Sequence, residues 1–373
     1  MVRYVQEHPI RVGVIVVAGT LLGVVLFLAS RFWFTFEAVA TEDFNPRAAA
    51  QALEERTPEK VAAMTESQRR QLDLAARQDL ATLEMAEEMA QRTAEMMTTE
   101  YRNPAAISPA LPDEMFEAYL GVGSDASGVL ADTILLALAP TDGGAPILVS
   151  IPRDLYVRNP CHEGWSRINA ALGGCEGLAS GTELIALMVQ GYTGIEVDHV
   201  ARLTFDGFAS VVNALGGVTI CTDNPARDPR SGLDLPGGCV AADGYTTLAW
   251  VRSRHTEQFI DGAWQVVAGS DFSRQSRQQD VLFQLAGKLG SFGSVGSLDS
   301  TMAAVAESVR VDSGWSFADA VATAWRYRGA SRDTVKRISV AVADYVTSAG
   351  AYVLAPARSF NELLAEAYPP AAR

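Results

Sequence analysis

The chain has 373 residues, with 30 basic and 44 acidic side chains and a net charge of −14. That length accommodates one large domain with appendages, and that charge excludes nucleic acid as a partner. Only three of the basic residues are lysines (Lys60, Lys288 and Lys336), so any clamp for an anion is built from arginine.

Residues 1–11 are a short N-terminal segment, expected on the cytoplasmic side. Val12 to Ala29 then reads VGVIVVAGTLLGVVLFLA, eighteen residues without a charge. At about 1.5 Å per residue a helix of this length spans roughly 27 Å, close to a hydrocarbon core. Arg31 closes the run, and Phe32, Trp33, Phe34 and Phe36 stand where an interfacial aromatic belt belongs. The reading is a single membrane-spanning helix within residues 12–34. Ala38-Val39-Ala40 resembles a signal-cleavage site, but the apolar run is longer than a signal core and Arg31 separates the two, so the anchor is read as uncleaved.

Arg3 and Arg11 precede the helix and Arg31 and Arg47 follow it, a weak charge bias. The cysteines say more about orientation. Cys161, Cys175, Cys221 and Cys239 are even in number and lie far downstream. They allow three pairings, or four buried thiols. The expectation is Cys161–Cys175 and Cys221–Cys239, which places this part of the chain in an oxidising compartment. No close Cys/His spacing suggests zinc.

Residues 35–112 read as a helical stalk and linker. Thr57-Pro58-Glu59 resembles a helix start, Leu72, Leu80, Leu83, Met89 and Met96 recur at helical spacings, and Pro104, Pro109 and Pro112 end the pattern. Residues 113–369 read as one α/β domain. Strands are predicted at 134–138, 147–151, 197–204, 218–222 and 335–342. Helices are predicted at 178–192, 208–215, 273–291, 315–327 and 359–367, with 246–251 open between helix and strand. This alternation gives a layered α/β fold.

Four stretches carry chemistry. Gly121-Val122-Gly123-Ser124-Asp125 precedes Ala131-Asp132-Thr133, so two carboxylates flank a glycine-bearing loop and could converge on a hard cation. Ser150-Ile151-Pro152-Arg153-Asp154 delivers an arginine at the C-terminal end of a strand, where ligands bind in open α/β sheets. In Val251-Arg252-Ser253-Arg254-His255 the two arginines share a face if the segment is extended. Asp271 to Gln279 opens a long helix on which Arg274 and Gln278 share a face. Converging arginines in an acidic protein call for an anion between them, and guanidinium forks suit phosphate.

These stretches resemble, in this order, the LytR-CpsA-Psr family of cell-envelope proteins. Arg167-Ile168-Asn169-Ala170-Ala171, Asp198-His199, Phe205-Asp206-Gly207-Phe208 and Val212-Asn213-Ala214-Leu215-Gly216-Gly217-Val218 complete the pattern. The resemblance implies a three-layer α/β/α domain with a central mixed sheet and a hydrophobic pocket for a polyprenyl phosphate. It implies a phosphotransferase that uses Mg²⁺ (or Mn²⁺) to move a glycopolymer from a polyprenyl-pyrophosphate donor to a peptidoglycan or other envelope acceptor. Its metal-binding aspartates match Asp125 and Asp132. Its pyrophosphate-binding residues match Arg153, Arg252, Arg254, Arg274 and Gln278; Arg153, Arg252, Arg254 and the two aspartates form the implied catalytic set. The implied location is the cell membrane, single-pass, with the C-terminal domain outside the cytoplasm.

Two departures matter. Leu130 stands where the family usually has an arginine, with Arg158 or Arg277 as possible substitutes, and an insertion of roughly Glu257 to Gly269 separates Arg254 from Arg274. Two alternatives therefore stay open: hydrolysis of the same donor, and a non-catalytic envelope scaffold that binds the lipid carrier.

Overall fold

The computed structural model describes residues 39–55, 103–124, 128–162, 164–268, 271–289, 306–316, 319, 323, 326–327 and 331–369. The expected anchor, the helices expected within 57–102, Asp125 and most of the helix expected at 315–327 lie outside them. Among the described residues no helix is long and apolar enough to cross a membrane.

In chain order the domain comprises β1 (Ala40–Glu42), α1 (Pro46–Glu54), β2 (Phe116–Ser124), β3 (Ala131–Pro140), β4 (Ile147–Ile151), β5 (Tyr156–Asn159), β6 (Gly164–Arg167), α2 (Gly181–Thr193), β7 (His199–Thr204), α3 (Phe205–Ala214) and β8 (Val218–Thr222). It continues with β9 (Ala226–Asp228), β10 (Leu233–Leu235), β11 (Gly238–Ala242), α4 (Gly244–Arg252), β12 (Thr256–Ile260), β13 (Ala263–Ala268), α5 (Asp271–Leu289), β14 (Val309–Asp312), β15 (Lys336–Ser339), β16 (Val342–Val346), β17 (Tyr352–Pro356) and α6 (Phe360–Ala367).

Among the described residues the central sheet is mixed, with seven strands in the order β1-β14-β7-β2-β3-β4-β15. Strand alternation sorts its side chains. Leu120, Val122, Ile134, Leu136, Ile147 and Val149 point to one face and pack with Leu184, Ile185, Met188, Phe360 and Leu364 of α2 and α6. Each such burial contributes about 1.5–3 kcal/mol. A second core joins Val212, Val218, Leu248, Val251, Val281 and Leu285 of α3, β8, α4 and α5. Ser180 caps α2 in a capping box with Glu183. Gly194 ends that helix at φ 73°, where a Cβ would stand 2.1 Å from the Pro109 carbonyl oxygen, so only glycine fits.

Both described ends of the expected stalk belong to the domain. β1 pairs with β14 as an edge strand, and α1 buries Ala49 and Leu53. A three-residue strand shows no readable alternation, which is why the sequence concealed it. The strand expected at 335–342 is split: β15 pairs with β4 in the central sheet, whereas β16 pairs with β17 in a separate ribbon. Gly121 and Gly123 lie in β2 itself, not in a loop.

The register fixes where the chain enters. Ala40 lies in one row with Arg310, Arg202, Val122, Ile134 and Ile151. Five strand spacings separate the ends of that row, about 24 Å. β1 therefore begins at the end of the sheet where β4 delivers Arg153.

Both expected disulfides are present, Cys161–Cys175 and Cys221–Cys239. The second bridges directly paired residues of β8 and β11.

Candidate functional site

The site is built at one end of the sheet around Asp154, just beyond β4. Arg153 Nε lies 3.4 Å from its Oδ2, Arg167 Nη1 3.5 Å from its Oδ1, and Arg254 Nη2 3.8 Å from Oδ2. Arg274, 5% exposed in the first turn of α5, adds its charge to the same carboxylate. Burial pushes the Asp154 carboxyl up, but the guanidiniums of Arg153, Arg254, Arg167 and Arg274 outweigh it and hold the group below the usual range. Four guanidiniums thus act on one carboxylate, a concentration of arginine within an acidic protein.

Arg153 also donates from Nη1 to Asp132 Oδ1, joining the head of β3 to the end of β4. Arg252 and Arg254 do not share a strand face, as an extended segment would have required. Arg252 ends α4 and stacks over Phe205, 4.3 Å from the ring centroid, while Arg254 follows in a turn. Buried Asp228 holds that turn: its Oδ2 accepts from Ser253 Oγ at 2.7 Å and from the backbone amides of Arg254 and His255 at 3.0 and 3.1 Å. Burial pushes the Asp228 carboxyl up, but the hydrogen bonds from Ser253, His255, Arg230 and Arg254 hold it lower than usual.

Gln278 Nε2 donates to Thr133 Oγ1 at 3.2 Å and to the Val251 carbonyl at 3.3 Å, and Gln279 Nε2 donates to Ser150 Oγ at 2.8 Å. These bonds hold α5 against β3, β4 and α4. Arg277 does not join the cluster. It donates to Thr256 Oγ1 at 2.9 Å and to the Ser253 carbonyl and stacks over Trp250, and burial lowers its guanidinium to about 10. Arg158 is exposed on β5 and is not among the arginines acting on Asp154. The additional arginine is Arg167, at the end of β6. Beside Leu130, Arg202 Nη2 donates to the Gly128 carbonyl at 2.7 Å and holds the segment leading into β3.

An apolar cavity of about 290 Å³ lies against the sheet, and of the expected anion-binding residues Arg252 and Gln278 line it. Its sheet wall comprises Gly121, Gly123, Thr133, Leu135, Ala201 and Leu203; Phe205, Phe208, Leu248, Arg252 and Leu282 close it from the helices. The small residues occupy the sheet face opposite the first core, and their size makes the space.

Of the two expected metal ligands Asp132 is described. It brings carboxylate oxygens beside Arg153, to which its Oδ1 is hydrogen-bonded, a donor type compatible with Mg²⁺, which takes one or two carboxylates with phosphate oxygens. Among the described residues no group of three or more His, Cys, Asp or Glu could hold a metal by itself. His199 Nδ1 is 3.3 Å from Asp312, and His255, the residue after Arg254, faces Arg230.

A mixed sheet with an arginine-ringed carboxylate at one end and an apolar cavity against one face defines an α/β protein. The chain belongs to the LytR_cpsA_psr family, whose sequence profile it matches over residues 83–367. It is 40% identical over 148 residues to the probable cell wall biosynthesis protein LcpB of Corynebacterium glutamicum, covering 39% of this chain and 33% of that protein. It is 27% identical to the polyisoprenyl-teichoic acid–peptidoglycan teichoic acid transferase TagU of Enterococcus faecalis, covering 54% of this chain and 60% of the relative. The chain thus spans a third to three fifths of the length of these curated relatives. The fold matches a LytR-Csp2A-Psr enzyme from Actinomyces oris with a TM-score of 0.56 at 24% identity, covering 72% of this chain and 95% of that one.

Proposed function

We propose that this protein transfers a glycopolymer from a polyprenyl-pyrophosphate donor to a hydroxyl of peptidoglycan or a related envelope acceptor. The observation that carries the reading is the convergence of Arg153, Arg167, Arg254 and Arg274 on Asp154, together with an apolar cavity that Arg252 and Gln278 help to line. A polyprenyl chain suits the cavity and a diphosphate suits the arginines. Relatives named as teichoic acid transferases support the same class.

In the reaction the acceptor oxygen bonds to the phosphorus that carries the glycan, and the bridging bond to the lipid phosphate breaks. The lipid leaves as a monophosphate and the acceptor proton is released. Arg153, Arg254 and Arg274 hold the diphosphate and stabilise the charge that grows on the leaving group, and Arg252 with Gln278 guards the junction between headgroup and lipid. One such contact is worth about 3 kcal/mol in the transition state. Asp132, with Asp125, would hold Mg²⁺ (or Mn²⁺), which supplies further neutralisation of the phosphate oxygens.

The protein works at the cell membrane, anchored by residues 12–34 with the domain outside the cytoplasm. Support for this comes from the apolar run itself and from β1, which begins at the same end of the sheet as the arginine cluster. The test supplies the purified full chain with Mg²⁺, a polyprenyl-pyrophosphate glycan and peptidoglycan fragments. Covalently linked glycan supports transfer. Free glycan phosphate alone indicates hydrolysis, and lipid retention without turnover indicates a carrier-binding scaffold.

A further inference from the structure

The insertion between Arg254 and Arg274 is the hairpin β12–β13, closed by Asp261 and Gly262 at positive φ. It carries four of the seven large apolar side chains exposed among the described residues: Phe259 at 41%, Trp264 at 36%, Val266 at 63% and Val267 at 44%. Isolated exposed apolar residues need no explanation, but a cluster on one element marks an interaction surface.

Its construction is specific. Phe259 and Trp264 are directly paired across the hairpin, so they share a face, and their rings meet edge-on with centroids 5.5 Å apart at 61°. Arg227 of the neighbouring strand β9 lies over Trp264, 4.0 Å from its centroid, and its Nε donates to Glu257 Oε2 at 2.7 Å. Arg277 braces the base of the hairpin through Thr256. The result is an aromatic pair, a shelf with a guanidinium over one face of Trp264 and a carboxylate beside it, on a segment that falls in the chain between Arg254 and Arg274.

We propose that this shelf binds a neutral glycan, the sugar chain of the acceptor. The inference rests on the transferase reading for its location and adds a subsite to it. A pyranose presents an apolar C–H face and a rim of hydroxyls. The face stacks on Trp264 or Phe259, while Glu257 and Arg227 pair with the rim. Rings already fixed lose little entropy on binding. Charge argues against a bilayer as the occupant. Residues 256–268 contain Glu257 and Asp261 and no Lys or Arg, whereas segments that lie on anionic membranes are basic.

The test uses the full chain in lipid nanodiscs, labelled with 5-fluorotryptophan, and titrated with a neutral β-linked N-acetylglucosamine oligomer. The Trp264 resonance is assigned by its loss in Trp264→Phe. It should shift saturably, and Trp264→Ala and Phe259→Ala should each weaken oligomer binding about tenfold, a change of about 1.4 kcal/mol. Trp264→Phe should retain most of the affinity. Polyprenyl phosphate retention should be unchanged in all three variants. Absence of a shift, or undiminished binding by the alanine variants, overturns the proposal. So does broadening of the Trp264 resonance by spin-labelled lipid before oligomer is added, which would assign the shelf to the membrane. Failure of the wild type to retain polyprenyl phosphate would count against the transferase reading, and the oligomer titration reports on the shelf independently.

Discussion

Arg153 and Asp132 are hydrogen-bonded to each other across the ends of β4 and β3, 21 residues apart in the chain. The pair couples the arginine cluster to the carboxylate proposed to hold the cation. Removing either partner therefore has different consequences. Asp132→Asn should lower transfer by about 10²–10³-fold while leaving polyprenyl phosphate retention within a few fold. Arg153→Ala should lower both. Parallel turnover and lipid-retention measurements separate the two, and equal loss of retention in both variants would refute the division of roles.

Asp228 is a positioning residue for Arg254. Its Oδ2 accepts three hydrogen bonds from residues 253–255, and bonds to a charged acceptor are worth about 1.5–3 kcal/mol each. Asp228→Ala should lower both unfolding free energy and lipid-phosphate affinity. Asp228→Asn retains an acceptor and should recover most of the affinity. If Asp228→Ala retains full affinity, the bracing role is wrong.

Gly121 tests the cavity. A Cβ there would meet Leu135 at an ordinary 3.7 Å, so the strand tolerates a side chain whose remaining atoms enter the cavity. Gly121→Leu should keep the melting temperature near wild type and abolish polyprenyl phosphate retention. Mass spectrometry of extracted lipid reads the result, and retained lipid would place the chain elsewhere.

The disulfides close loops with sequence separations of 14 and 18. Loops of this size are worth about 3 kcal/mol each. Replacing Cys161 and Cys175 together with alanine should lower unfolding free energy by that order in urea titrations. An unchanged midpoint would deny Cys161–Cys175 a stabilising role.

His199 gives the pH dependence. Burial pushes its imidazole down, but the Asp312 carboxylate beside it wins and raises it above the ordinary value. The unfolded pKa is about 6.5. The stabilisation is therefore complete below about pH 6.5 and is lost as pH rises through the raised folded value. His199→Gln should remove this part of the pH profile. A wild-type stability that stays flat or increases across that window would contradict the assignment.

The sequence alone determined much of this protein. The strands at 134–138 and 147–151, the helix after Asp271 and the two disulfide partners were legible because hydrophobic period, helix-start chemistry and loop length are local. The family pattern named Arg153, Arg252, Arg254, Arg274 and Gln278 for the same reason. Only the tertiary structure decided what these residues face. Asp228 sits in Pro-Ala-Arg-Asp-Pro-Arg, which reads as a turn, and nothing local says that it holds residues 253–255. Arg167 joins the cluster, and Arg277 does not, because side-chain direction depends on packing between elements. Gly121 and Gly123 resembled loop residues; strand pairing made them a cavity wall. The insertion after Arg254 was visible as extra length, and cross-strand register turned Phe259 and Trp264 into one face.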